Sequence, residues 1–213
     1  MVLESGRIKN MSEVVVGDKI QAMDNTGKMV FSEVLMFMDR EPRETRKFVR
    51  ITTEEGAVLT LTSTHLVHTG AQDCGDLQCF IPSYAGNIMP GMKVMVNKGT
   101  LLPQVVAKVE MTSHTGVYAP LTNTGNLVVD DVLASCYAVI DSQSIAHAAF
   151  APVRWWHSIE QSVGQLYRTI TFTQAVTNTA PRTSTLPPPP TGVHWYPDLL
   201  YRLARYLMPS HLV

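Results

Sequence analysis

Between residues 14 and 140 the sequence is a series of short runs rich in Val, Ile, Leu and Thr, each closed by a turn signal. They are "VVVGDKIQAMD", "GKMVFSEVLMFMDR", "RKFVRITTEEGAVLTLT", "GMKVMV", "QVVAKVEMTS", "GVYAPLTNTGNLVVDDV" and "ASCYAVI". β-Branched residues suit a pleated, half-buried surface, and runs spaced this way predict an all-β architecture. Two pairs of runs echo each other. "VVVGDKIQAMD" matches "IMPGMKVMVNK" with Gly17 over Gly91 and Lys19 over Lys93, and "ITTEEGAVLTLT" matches "PLTNTGNLVVDD" with Gly56 over Gly125. A period of roughly 70 residues predicts two copies of one β unit, which would bring His65 and Cys136 to related positions.

The pattern changes near residue 144. In "SIAHAAFAPVRWWHSIEQSVGQLYRTI", Ile145, Ala149, Val153, Trp156, Ile159, Val163 and Leu166 recur at helical spacing, interrupted by Pro152. Residues 177–192, "TNTAPRTSTLPPPPTG", show no packing pattern and read as an extended linker. After "HWYP", a final amphipathic helix puts Leu199, Leu200, Leu203, Tyr206 and Leu207 on one face and Arg202 and Arg205 opposite. The division is therefore 1–144, a β domain, and 145–213, a mostly helical tail.

Composition narrows the function classes. With 213 residues, 45% hydrophobic and 16% charged, the chain can bury one medium core plus an appendage. A net charge of -1 with scattered basic residues gives no phosphate-tracking stripe, which disfavours nucleic acid. No apolar run reaches spanning length, and "MVLESGRIKN" is not a secretory leader. Three cysteines leave one unpaired if a disulfide forms. Cys74 and Cys79 in "CGDLQC" are too widely spaced for a thioredoxin-type pair and have no second Cys/His pair for zinc, leaving a loop disulfide or two free thiols.

In "LTLTSTHLVH", residues 59–68, the period-two alternation reads as a strand ending in His65. On residues alone, a satisfied structural histidine explains His65 better than a catalytic one. His68, three residues on, points to the other strand face and is no metal partner. No metal site is expected.

The ordered set "GDKIQAMD", "FSEVLMFMDR", "GAVLTLTSTHLV", "VYAPLT", "ASCYAVI", "SQSIAHAAFAP" and "GVHWY" resembles the carboxy-terminal autoprocessing domain of hedgehog precursors, over nearly the whole chain. The resemblance implies an intein-like Hint fold for residues 1–144 and a sterol-recognition region after it. It implies an intramolecular reaction: a cysteine at the start of the domain attacks the preceding glycine carbonyl, and cholesterol, a co-substrate with no cofactor needed, then attacks the thioester. It also places Thr62 and His65 on the family's Thr-x-x-His motif, Thr62 orienting the scissile peptide and His65, titrating near neutrality, protonating the leaving amine.

By the same resemblance Asp39, expected at the end of its strand, accepts the sterol hydroxyl proton. Its bland alternative is a turn acid paired with Arg40 or Arg43. Cys136 falls on the family's second cysteine near the active site, or is a small buried hydrophobe. The tail side chains Trp195, Leu199, Leu200, Leu203, Tyr206 and Leu207 are candidates for sterol or membrane contact.

The implied nucleophile and the glycine before it would stand a few residues ahead of Met1. The sequence as written is thus expected to be a fragment of a longer precursor, unable to form the thioester alone, whose partner is its own upstream signalling domain. Two other classes stay open: a non-catalytic Hint-fold module that binds sterol or a membrane surface, and a secreted structural domain. The family implies the secretory pathway, with processing in the endoplasmic reticulum and a secreted or membrane-associated product, a compartment that permits disulfides.

Overall fold

The computed structural model describes residues 1–138, 150–152, 154, 155, 191–199 and 202. Among them are ten strands: β1 (Lys19–Met23), β2 (Met29–Thr53), β3 (Val58–Leu61), β4 (His65–Gly70), β5 (Ile81–Tyr84), β6 (Lys93–Asn97), β7 (Leu101–Thr122), β8 (Asn126–Val129), β9 (Val132–Ala138) and β10 (Gly192–Val193). They form one curled sheet in the order β1-β2-β7-β6-β4-β9-β8, with β3 and β10 also on β2 and β5 on β4. The proposed boundary at 144, residues 177–190 of the expected linker and most of the tail lie outside the described residues, while Gly192, expected to end the linker, instead opens β10 opposite Arg40.

Two long strands organise the sheet. β2 and β7 run antiparallel from Val34↔Thr122 to Thr53↔Val106. In β2 the buried stretches lie at both ends, and residues 42–45 between them are exposed. Each end feeds a different core. Val34 and Met36 join Met1, Leu121, Cys136 and Tyr137 in one cluster. Val49 and Ile51 join Leu59, Val94, Val96 and Val106 in another. Full burial of such side chains contributes about 2 kcal/mol each, so the ends of the long strands hold the sheet curled around two centres.

The duplication expected from the sequence is visible in the hydrogen bonding. Gly17 donates to Val34 O at 2.9 Å and Gly91 to Val106 O at 2.9 Å. The return bonds match, Val34 N–H to Asp18 O at 2.8 Å and Val106 N–H to Met92 O at 2.7 Å. Both glycines have positive φ, +91° and +90°, a conformation that costs a side-chain-bearing residue strain. Gly56 and Gly125 close corresponding turns onto Thr53 O and Thr122 O. The ladder ends Val34↔Thr122 and Thr53↔Val106 exchange when one copy is laid on the other. The symmetry breaks at the last hairpins, because β3 pairs with β2 whereas β8 pairs with β9.

Three expectations about local structure are corrected. The "LTLTSTH" run is not one strand: β3 stops at Leu61, the chain turns through Ser63 and Thr64, and His65 opens β4. Asp39 does not end a strand, since β2 continues to Thr53. Helix in the tail begins at Trp195, before Pro197 rather than after it, and a proline is tolerated in a first helical turn. Cys74 and Cys79 form a disulfide with Cα atoms 5.9 Å apart, leaving Cys136 free and buried.

Candidate active site

The turn between β3 and β4 sets up the first pair of functional groups. The His65 N–H donates to Thr62 O at 3.1 Å, closing the turn, and Gly86 N–H donates to Ser63 O at 2.9 Å, pinning its crest. The turn brings Thr62 Oγ1 to 3.3 Å from His65 Nδ1. This contact occupies Nδ1 and leaves Nε2 as the ring nitrogen for proton transfer. Burial pushes the His65 imidazole down to about 4. The ring is therefore neutral at neutral pH, which corrects the expectation that it titrates there.

Asp39 comes from β2, at a register irregularity against β7 between Phe37 and Asp39. β10 lies on the same stretch, with Val193 opposite Asp39 and His194 N–H donating to Met38 O at 3.0 Å. Asp39 Oδ2 accepts from Arg46 Nη1 at 2.9 Å. Oδ1 is buried and has no hydrogen bond. The partner is thus neither Arg40 nor Arg43. Arg40 is buried and donates to the carbonyls of Val14 and Ser12 at 3.1 and 3.0 Å, its guanidinium stacked 4.5 Å from the Phe37 ring centre.

Cys136 lies in β9, fully buried, its sulfur 3.4 Å from Thr122 Oγ1. Burial pushes its thiol up to about 11, so it is held protonated and is a poor nucleophile. His65 and Cys136 do not occupy matching positions of the two copies. β4 and β9 are neighbouring strands, with His65 opposite Ala138, which brings His65 and Cys136 to one cavity.

These side chains converge. A cavity of about 940 Å³ is lined by Asp39, Thr62, His65 and Cys136 together with Arg46. Apolar groups, among them Met38, Leu61, Val117, Leu127 and Phe150, supply much of the remaining wall. Met1 packs in the core cluster that includes Cys136, Tyr137 and Phe150, so the first residue lies on the same side of the sheet as the site. The tail reaches the cavity through Val193, Pro197 and Asp198. Trp195 is not part of that lining and is 67% exposed, Leu199 44%. Leu200, Leu203, Tyr206 and Leu207 lie outside the described residues. Sequence reasoning missed Arg46, Thr122 and Phe150. Of these, Thr122 carried a signal as the counterpart of Thr53 in the repeat, and Phe150 stood within the "SQSIAHAAFAP" motif.

The Hint module family model matches residues 1–209. The chain belongs to the Hint module family. This Hint module is 38% identical to Protein hedgehog of Drosophila virilis over 214 residues, 98% of the chain and 42% of that protein. It is 36% identical to Sonic hedgehog protein of Danio rerio over 215 residues, 99% of the chain and 48% of that protein. The Hint module thus spans less than half the length of these curated relatives. Among solved structures, the Ssp DnaB mini-intein variant M86 superposes with a TM-score of 0.52 at 12% identity, over 62% of this chain and 86% of that one. The PabCDC21-1 intein does so with 0.51 at 15% identity, over 63% and 92%. At such low identity these two show that the fold is shared.

Proposed function

We propose that this Hint module autoprocesses a hedgehog-type precursor, cleaving the peptide bond to an upstream signalling domain through a thioester and passing that domain to cholesterol. The observation that carries the reading is the convergence of Thr62, His65 and Asp39, whose Oδ1 is buried without a hydrogen-bond partner, on one largely apolar cavity. Acyl transfer needs a proton acceptor and donor at the scissile peptide and a base at the incoming alcohol, held together.

In the first step a junction cysteine is the nucleophile. Neutral His65 takes the thiol proton, sulfur attacks the glycine carbonyl carbon, a C–S bond forms and the C–N bond breaks. The departing amine takes the proton back from His65. An imidazole shifted down to about 4 makes a strong acid once charged, so this second transfer runs downhill. Thr62 holds the ring through Nδ1. In the second step the sterol oxygen attacks the thioester, a C–O bond forms, the C–S bond breaks, and the hydroxyl proton goes to Asp39 and then to the leaving thiolate. The sum is peptide plus alcohol giving ester plus amine, with no redox change and no cofactor.

The test is a reporter ending in Gly joined through Cys-Phe and a few family residues to Met1. Dithiothreitol and cholesterol should each release the reporter. His65→Ala should lower both releases by about 10²- to 10⁴-fold, the usual contribution of a positioned acid or base. Asp39→Ala should lower cholesterol transfer by about 10²- to 10⁴-fold, leaving a slow residual rate, and retain thiol release, because a thiol ionises without a protein base. Absence of any thiol-dependent release would leave the non-catalytic binding module as the reading.

Exposed Trp195 and Leu199 beside Arg202 favour contact of the tail with a bilayer surface, where a sterol would be collected. Flotation with cholesterol-containing anionic vesicles, lost in Trp195→Ala, tests that contact. No helix among the described residues is long and apolar enough to cross a membrane. The disulfide and the hedgehog similarity favour the secretory pathway as the site of processing.

A further inference from the structure

The two oxygens of Asp39 have different fates. Oδ2 is tied to Arg46 Nη1 at 2.9 Å, while Oδ1 is buried without a partner in a residue that lines the cavity. Arg46 is itself gripped from its other edge, its Nε and Nη2 each 2.7 Å from one oxygen of Glu44. Such a two-point fork fixes the guanidinium plane as well as its position. Glu44 and then Asp39 also hold the guanidinium charge strongly in place, raising its already high affinity for the proton.

The meeting of Asp39 and Arg46 is a product of the fold. Residues seven apart on a regular strand point to opposite faces. Here β2 slips register between Glu41 and Thr45, passing through Pro42, opposite Gly116 of β7 with φ +100°. That irregularity lets the Arg46 side chain come round to the carboxylate. Arg46 lines the cavity as well.

We propose that Arg46, clamped by Glu44, is the positioning residue of the alcohol step: it holds Asp39 by one oxygen so that the other stays aimed at the incoming hydroxyl. This rests on the autoprocessing reading above. Arg46 takes no proton. The hydroxyl proton passes to Asp39 Oδ1 as the C–O bond forms and the C–S bond breaks, then to the leaving thiolate, and the fixed cation keeps the carboxylate in its rotamer throughout. The thiol step does not use it.

The experiment follows sterol-driven and dithiothreitol-driven release in the reporter fusion of the full chain. Arg46→Met keeps the apolar stem and removes the fork. It should lower the maximal rate of cholesterol transfer by about 100-fold, the usual consequence of a misplaced reacting group, with the half-saturating sterol concentration and thiol release within twofold of the parent. Arg46→Lys should recover part of that loss, and Glu44→Gln should show the same selective loss at smaller amplitude.

In an Asp39→Ala background, Arg46→Met should cost nothing further, because a residue that acts through another is silent once the other is gone. An additional loss there, equal loss of both releases in Arg46→Met and Glu44→Gln, or parent-like transfer in Arg46→Met each overturns the assignment. A parent that releases with thiol but never with cholesterol overturns the sterol reading itself, and this assignment with it.

Discussion

His65 and His68 lie three residues apart on β4, one lining the cavity and the other buried with its Nδ1 unsatisfied. Burial pushes both down to about 4. Between that value and the ordinary 6.5 the unfolded chain binds more protons than the folded one, so stability is complete above about pH 6.5 and falls as the pH drops toward 4. A shift of that size corresponds to roughly 3 kcal/mol for each histidine, and to less than that for His65, which opens onto the cavity. The urea midpoint should therefore fall steeply between pH 6.5 and 4, and His68→Phe should flatten the slope by about half or more; an unchanged slope would contradict a buried neutral His68. Thr62, His65, Asp39 and Cys136 were legible only through the ordered set of family motifs, since a threonine-rich strand with a histidine has many bland explanations. Arg46 was not legible at all. In "DREPRETRKF" three arginines recur at identical spacing, and which one meets Asp39 depends on a backbone irregularity that alternation cannot encode.

At the level of elements, the repeat makes a quantitative demand. Gly17 and Gly91 share φ near +90°, and a methyl group at either would touch nothing within 4 Å, so backbone strain alone sets the cost of alanine. Gly17→Ala and Gly91→Ala should each destabilise by about 1–2 kcal/mol and agree with one another to within about 0.5 kcal/mol, measured by chemical denaturation; a large difference would mean that the two turns are not equivalents. Most strands of the β region were legible because their Val, Ile and Thr runs end at glycines that the turns require. The break at 62–64 was hidden, because Thr62 and Thr64 continue the every-second-residue threonine of Thr60 across a turn. β5 and β10 were missed for a different reason. Each is held by its neighbour's ladder, β4 for one and β2 for the other, with little pattern of its own.

Over the whole molecule, the curled sheet and the tail both contribute walls to the site. Phe150, 4% exposed, packs 5.7 Å from the Tyr137 ring and 5.6 Å from Tyr196, so the tail closes one wall of the cavity. Ending the chain at residue 144 should therefore leave thiol release in place, because Thr62 and His65 are fixed by β3, β4 and Gly86, and should lose cholesterol transfer. If thiol release disappears as well, the wall is part of the first step. β10 adds a consequence of its own. Among the described residues, Gly192 and Val193 of the tail are laddered onto β2, opposite Arg40 and Asp39, and a two-residue ladder holds because both pieces are one molecule. Covalent connection supplies an effective concentration on the order of millimolar. A protease cut between residues 155 and 191 should let the last segment drift away at micromolar protein, visible as dissociation by native mass spectrometry.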